Sequence, residues 1–505
     1  MRHKIISRIR TAILLLVSAE LAICAVQPPS KEDAQKELYA ARWEHAAELY
    51  RQILDADPAW GAGWDALVQA LLEAHKTPEA YAAADAALVK APNTAGAQTA
   101  AGRVLYRKGQ LPKAEAAFRA ARKLDPNYAG ALEGLARIYA IIAKYKTASE
   151  LMLQAYHAEP NDPDLMLAHA NSLEGKEHIA ALEQVLLIYD PGSREARALR
   201  AHIAGDKAVQ DRKTRVMTTP YQPYEFKLMD LVSGPNRSPG TALRVTFNGR
   251  YTGTLLLDTG ASGISLSPKA AKKAGLEELE EGGRESYGLG DEKPRDAFSY
   301  LAAEVSAGDM AWSNYPVHII DTAKDSDRDG IIGGDVFSRF LVELDFPRMT
   351  MGLTPYPPEA THESGPRDAG DPPEGFHRIY RLGHTLLMPV LINGGPSRLF
   401  ILDSGASTNL IDTEAAEEET KIHGDSFVTI RGLQGRVEKV SRADHVTLTF
   451  AGMRQENPGL FAVNLHTISD RVGIEESGIL GMPVLRQLRM VIDYRDAAVL
   501  LQYKR

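Results

Sequence analysis

The feature that most constrains the fold of this chain is a turn that occurs twice. "LLLDTGASGISL" carries Asp258 and "FILDSGASTNLI" carries Asp403, and each Asp follows an apolar run. A single Asp-hydroxyl-Gly turn is common and reads as a loop with a solvent-facing carboxylate. Here other landmarks repeat in register. Asn248-Gly249 and Asn393-Gly394 each lie 10 residues before the Asp, as hairpin turns feeding the apolar strand. Downstream, "IIGGDVF" places Gly333 75 residues past Asp258, and "ILGMPVL" places Gly481 78 past Asp403. Asp345 in "VELDF" and Asp493 in "VIDYR" then follow those glycines by 12 residues each. The segment is an internal duplication with alternating, β-type patterning.

Two copies of such a loop have a physical use. A carboxylate at the end of a buried strand, followed by a hydroxyl residue and a glycine, sits in a tight turn. The glycines Gly260 and Gly405 remove the Cβ that would hold a second loop away. The hydroxyls of Thr259 and Ser404 are placed to bond across a pseudo-two-fold axis. Asp258 and Asp403 then meet, and two like charges at close range hold one proton between them. One carboxylate acts as base on a water, while the other, protonated, polarises an amide carbonyl and protonates the leaving nitrogen. The pair titrates as a unit, so neither role is assigned to a particular Asp.

Upstream, residues 31–205 read as all-α and repeat every 34 residues. Pro58, Pro92, Pro126 and Pro160 keep that beat, Pro191 follows at a shorter step, and Ala46, Ala80, Ala114 and Ala148 keep it too. Tyr50, Ala84, Phe118 and Met152 come four residues after those alanines, on the same helix face. A small residue at each step lets two helices pack closely, and the proline ends the second helix of each unit.

Both segments resemble known families. The helical array, with Trp64, Leu67 and Tyr139 at further pattern positions, resembles tetratricopeptide repeats, four of them and a degenerate fifth. "LLLDTGAS" with "IIGGD" and "FILDSGAS" with "ILGMP" resemble a tandem pair of retropepsin-like aspartic protease lobes. The resemblance implies a multidomain chain, an N-terminal all-α solenoid followed by an all-β bilobal fold of about six short strands per lobe closed into a small barrel. It implies catalysis by Asp258 and Asp403, with Thr259, Gly260, Ser404 and Gly405 supporting the loops. It also implies a hairpin flap, for which the candidates are Tyr287–Gly290, including Gly288, and Gly432–Gly435. The expected boundaries are 1–25 leader, 31–205 repeats, 206–222 linker, 223–353 first lobe, 354–375 Pro/Gly-rich linker and 376–505 second lobe.

The expected function is that of an aspartic endopeptidase with repeats that recruit a polypeptide substrate or a protein partner. The alternative is an inactive peptide-binding scaffold that keeps the cleft and the groove. Lobe pairing within one chain and pairing between two chains are both open. "MRHKIISRIR" followed by "TAILLLVSAELAICA" has the layout of a secretory signal, with cleavage after Ala25, an uncleaved anchor, or lipidation at Cys24. Export to the periplasm or beyond is therefore expected.

Other chemistries find little footing. The net charge of −8, without a basic cluster interleaved with aromatics, argues against nucleic acid. One cysteine excludes a disulfide framework within the chain. "DSDRDG" (325–330) opens like a calcium loop, but the twelfth position is Val336, so it reads as an acidic turn. Among the 14 histidines there is no His-Glu-x-x-His, and no Gly-x-Ser-x-Gly or phosphate loop occurs. No cofactor and no metal are expected. Asp345 and Asp493 read as strand-end turn residues.

Overall fold

The computed structural model describes residues 29–231, 240–279, 284–286, 288–293, 295–320, 328–357, 366–424 and 428–503. The segment 1–25 read as a leader, Cys24 and Tyr287 lie outside the described residues.

Among the described residues eleven helices come first: α1 (Lys31–Tyr39), α2 (Trp43–Ala56), α3 (Gly61–Glu73), α4 (Thr77–Lys90), α5 (Ala95–Arg107), α6 (Leu111–Leu124), α7 (Ala129–Ile141), α8 (Tyr145–Ala158), α9 (Pro163–Ala170), α10 (Gly175–Leu186) and α11 (Arg194–Val209). The prolines of the 34-residue beat each fall two residues beyond α2, α4, α6 and α8, where a ring without an N–H cannot continue the helix. Ala46, Ala80 and Ala114 are fully buried. Phe118 shows how close the packing is. A Cβ on Gly102 of α5 or Gly134 of α7 would come within 2.6 or 2.4 Å of its ring. The solenoid's inner side, lined mainly by odd-numbered helices, encloses a cavity of about 180 Å³ edged by Asp65, Glu133 and Asp162. Among the described residues, no helix is long and apolar enough to cross a membrane.

α11 runs four residues past the boundary expected at 205, and Val216 and Met217 already pair with a strand of the first lobe. That lobe contains β1 (Tyr224–Lys227), β2 (Gly240–Phe247), β3 (Tyr251–Asp258), β4 (Ile264–Leu266), β5 (Arg295–Ala307), β6 (Met310–Ile320), β7 (Gly330–Gly333), β8 (Phe340–Asp345) and β9 (Thr350–Pro355). Hydrogen bonding runs β2-β3-β7-β4-β6-β5 and returns to β2 through Thr246↔Ser306, a closed six-stranded barrel. The second lobe contains β10 (Thr385–Ile392), β11 (Ser397–Leu402), β12 (Leu410–Asp412), β13 (Ser441–Phe450), β14 (Met453–Val463), β15 (Gly478–Leu480), β16 (Leu488–Asp493) and β17 (Ala498–Tyr503). Its ring, β10-β11-β15-β12-β14-β13, closes through Leu391↔Thr449 in the same topology. Asn248-Gly249 and Asn393-Gly394 have positive φ at both residues, as two-residue hairpin turns need.

The lobes pair within one chain. β8 and β16 run antiparallel at the centre of a six-stranded sheet, with Val342↔Ile492 and Leu344↔Met490 disposed symmetrically about Glu343↔Val491. Asp345 and Asp493 end these strands and accept from the backbone N–H groups of Arg348 and Asp496, as turn residues.

The solenoid is docked on the second lobe. Leu111, Leu132 and Leu135 share a buried cluster with Leu387, Leu399 and Ile401. Arg107 donates to Asp470 at 2.5 Å and Tyr81 Oη to Glu475 at 2.8 Å. Within the segment read as a linker, Thr147 Oγ1 donates to Asp368 at 2.6 Å and the Ala369 N–H to the Ala143 carbonyl, so residues 366–370 lie against the α7–α8 turn.

Phe118→Ala is expected to destabilise the solenoid by about 3–5 kcal/mol, because Gly102 and Gly134 offer no side chain to fill the vacated space. Urea denaturation followed by far-UV circular dichroism checks this as a lower midpoint for the helical signal.

Candidate active site

Asp258 and Asp403 reach the interface because their strands are buried to the last residue. Leu255, Leu256 and Leu257 precede one and Phe400, Ile401 and Leu402 the other, all within the core. Each chain then turns on itself. The Gly260 N–H donates to Asp258 Oδ1 at 2.8 Å, and the Gly405 N–H to Asp403 Oδ1 at 2.7 Å, as Asx turns. Parallel strands back both loops: β7 pairs with β3 at Gly333↔Asp258, and β15 with β11 at Leu402↔Leu480.

The loops are tied by four reciprocal hydrogen bonds. Thr259 N–H donates to Ser404 Oγ and Ser404 N–H to Thr259 Oγ1, both at 3.0 Å. Thr259 Oγ1 donates to the Leu402 carbonyl at 2.7 Å, and Ser404 Oγ to the Leu257 carbonyl at 2.8 Å. Both residues are almost wholly buried, so each hydroxyl satisfies groups that water does not reach. The two glycines set the distance. A Cβ on Gly405 would lie 2.3 Å from Asp258 Oδ2, and one on Gly260 would lie 2.9 Å from Asp403 Cγ. Each glycine thus lies against the other lobe's carboxylate, and burial, then the Asp258 charge, push the Asp403 carboxyl well above the usual carboxylate range.

Several supporting residues carried little signal in the sequence. Asp335, the last residue of the quoted "IIGGD", accepts from Ser262 Oγ and the Gly263 N–H at 2.8 Å each and holds the first loop's outer wall. The second lobe has Pro483 at the matching position; there Asn409 Oδ1 accepts from the Gly481 N–H at 2.9 Å, where in the first lobe the Gly263 carbonyl accepts from the Gly333 N–H at 2.7 Å. Gly333 and Gly481 are required sterically, since a Cβ would meet the Ala261 or Thr408 carbonyl at 2.4 or 2.6 Å. Burial lowers the pKa of the Arg328 guanidinium, and the Asp258 charge opposes that shift. In the acidic turn before β7, Asp329 accepts from Tyr251 Oη at 2.6 Å and the Thr254 N–H at 2.9 Å, bracing β3.

The two candidate flap segments meet each other. Gln434, buried between Gly432 and Gly435, accepts from the Gly288 N–H at 3.0 Å and donates its Nε2 to the Glu292 carbonyl. Its own N–H donates to the Leu289 carbonyl at 3.0 Å, and Arg295 Nε donates to the Leu433 carbonyl at 2.6 Å. A Cβ on Gly432 would strike the Leu289 carbonyl at 2.3 Å. The glycines expected to supply bending also supply close approach between lobes. The sequence offered no sign of Gln434, which acts only across the interface.

Comparison with known families places these segments. Residues 243–336 and again 388–484 match the aspartyl protease family, and residues 66–129 and 99–164 match the tetratricopeptide repeat family. The chain carries tetratricopeptide repeats followed by a tandem aspartyl protease-like domain. No curated protein matches it.

Because its folded-state pKa is raised, the Asp403 carboxyl holds a proton that the unfolded chain releases above about pH 4. Stability therefore falls as pH rises from there through the raised pKa. Asp403→Asn is expected to flatten this dependence and to be more stable than the native chain near neutral pH by on the order of 1–3 kcal/mol. Thermal or urea denaturation of both proteins across pH reads the difference, and parallel curves would overturn it.

Proposed function

We propose that the chain is an aspartic endopeptidase in which Asp258 and Asp403 share one proton and activate one water, while the repeats recruit a polypeptide. The observation that carries this is the pair of carboxylates on twin loops tied by reciprocal Thr259 and Ser404 hydrogen bonds, each carboxylate against the other loop's glycine. The ionised member of the pair takes a proton from water as its oxygen attacks the scissile carbonyl carbon. The protonated member hydrogen-bonds the carbonyl oxygen as negative charge develops there. The tetrahedral adduct collapses when a carboxyl proton passes to the amide nitrogen, which breaks the C–N bond and regenerates the shared-proton state. The two roles belong to the pair, because strongly coupled groups titrate together.

Raised protonation at Asp403 supports a working range that extends above that of an ordinary carboxylic acid, with activity lost at higher pH as the shared proton leaves. The solenoid, docked on the second lobe, supports a role in presenting substrate or in fixing the protease to a protein partner. The basic and then apolar opening segment supports export of the chain.

Cleavage of an unfolded protein by the native chain, Asp258→Asn and Asp403→Asn, scanned from about pH 3 to about pH 8, tests the proposal. Each substitution is expected to reduce cleavage on the order of 10²–10⁴-fold, and a statine-type transition-state mimic to inhibit the native protein. Absence of cleavage by folded native protein at every pH would instead favour a peptide-binding role for the cleft.

A further inference from the structure

Far from the paired carboxylates, the last helices of the solenoid bring together His178 of α10 and His202 and Asp206 of α11. One ligand atom from each lies within 4.8 Å of the others. His178 Nε2 and His202 Nε2 both stand 3.3 Å from the same oxygen, Asp206 Oδ2. That separation is long for an ion-paired hydrogen bond, which settles at about 2.7–2.9 Å. It matches a tetrahedral edge, since two atoms each about 2.0 Å from a zinc ion stand about 3.3 Å apart.

Two further observations point the same way. His178 Nδ1 lies 2.8 Å from the Ala170 carbonyl at the end of α9. A carbonyl only accepts, so Nδ1 carries the hydrogen, and Nε2 is left as the ring's ligand atom on the side of Asp206. A backbone carbonyl that orients a histidine in this way is a recurring second layer of metal sites. Asp206 Oδ2, moreover, is cut off from solvent and has no hydrogen-bond partner. A carboxylate oxygen cut off from water and without a hydrogen-bond donor is unfavourable until a cation stands beside it.

We propose that His178 Nε2, His202 Nε2 and Asp206 Oδ2 bind a zinc-class divalent cation, with a fourth position left to water on the side where His202 is half exposed. Two imidazoles and one carboxylate suit zinc among the divalent metals. The role is structural. The ion joins α10 to α11 directly and α9 through the Ala170 carbonyl, and Lys207–Glu183 at 2.6 Å ties the same two helices nearby. From α11 the chain passes to Val216 and Met217, which pair with β6, so the ion would stiffen the helix from which the first lobe hangs. Sequence motifs missed the site because its ligands come from two helices and only His202-x-x-x-Asp206 falls on one.

The test is calorimetric titration of zinc chloride into the full chain, untagged and stripped with chelator. Variants His202→Ala and Asp206→Asn are titrated alongside, with His423→Ala as a control that removes a different His–Asp pair. One zinc per chain is expected. Each triad variant should weaken binding on the order of 100-fold, and His423→Ala should leave it unchanged. Cobalt(II) should give the visible absorption of a tetrahedral site in the native chain and lose it in both triad variants, whose helical content circular dichroism verifies. Absence of zinc binding by the native chain would mean an ion-paired cluster and overturn the proposal. Binding that survives both triad substitutions would place the metal elsewhere and overturn it equally.

Discussion

The exchange of hydrogen bonds between Thr259 and Ser404 is the contact on which the rest of the bilobal region depends. Each side chain donates to a carbonyl of the opposite strand and accepts the opposite N–H, so four buried polar groups are satisfied together. Removing either hydroxyl would leave an opposing N–H without a partner in a dry interface, a cost of about 1–3 kcal/mol. The exchange also fixes distance. With the loops joined at these residues, each glycine lies against the other lobe's carboxylate, and the carboxylates have nowhere to separate. Burial, then the Asp258 charge, pushes the Asp403 carboxyl well above the usual carboxylate range.

The remaining architecture keeps those loops in register. Each barrel delivers its Asp at the end of a strand whose neighbours on both sides are buried, and the shared sheet fixes the barrels relative to each other through β8 and β16. A second link crosses from lobe to lobe at Gln434, whose amide group and backbone satisfy four groups of the first lobe. The solenoid is joined to this unit at several places, residues 366–370 among them. Its middle helices pack on the second lobe, while its last helix leads into the first.

Much of the fold was legible because its signals are periodic or duplicated. Proline at every 34th residue, with alanine at every 34th, specifies where helices stop and where they touch. The Asn-Gly, Asp and Gly landmarks specify two equivalent lobes. Asp335 and Asn409 were not legible, because each braces its catalytic-loop region through a bond that the other lobe lacks, and no repeat marks them. Asp329 read as an exposed turn but bonds Tyr251 and Thr254 on a strand 70 and more residues earlier, a contact without local signature. The segment 366–370 read as linker from its Pro and Gly content, yet it is held by Thr147 of the solenoid.

The sequence by itself determined the local conformations: helix ends at prolines, hairpins at Asn-Gly, tight turns at Asp-hydroxyl-Gly, and apolar runs long enough to bury each Asp strand. These depend on steric and hydrogen-bonding rules that act over a few residues. Only the tertiary structure decided which surfaces meet. That the lobes pair within one chain, that Gln434 spans them, that the solenoid rests on the second lobe, and that His178 faces Asp206 from a neighbouring helix are outcomes of complementarity between surfaces distant in the chain. Such contacts are selected by the shape and buried polarity of both partners at once, and neither partner's local sequence contains the other.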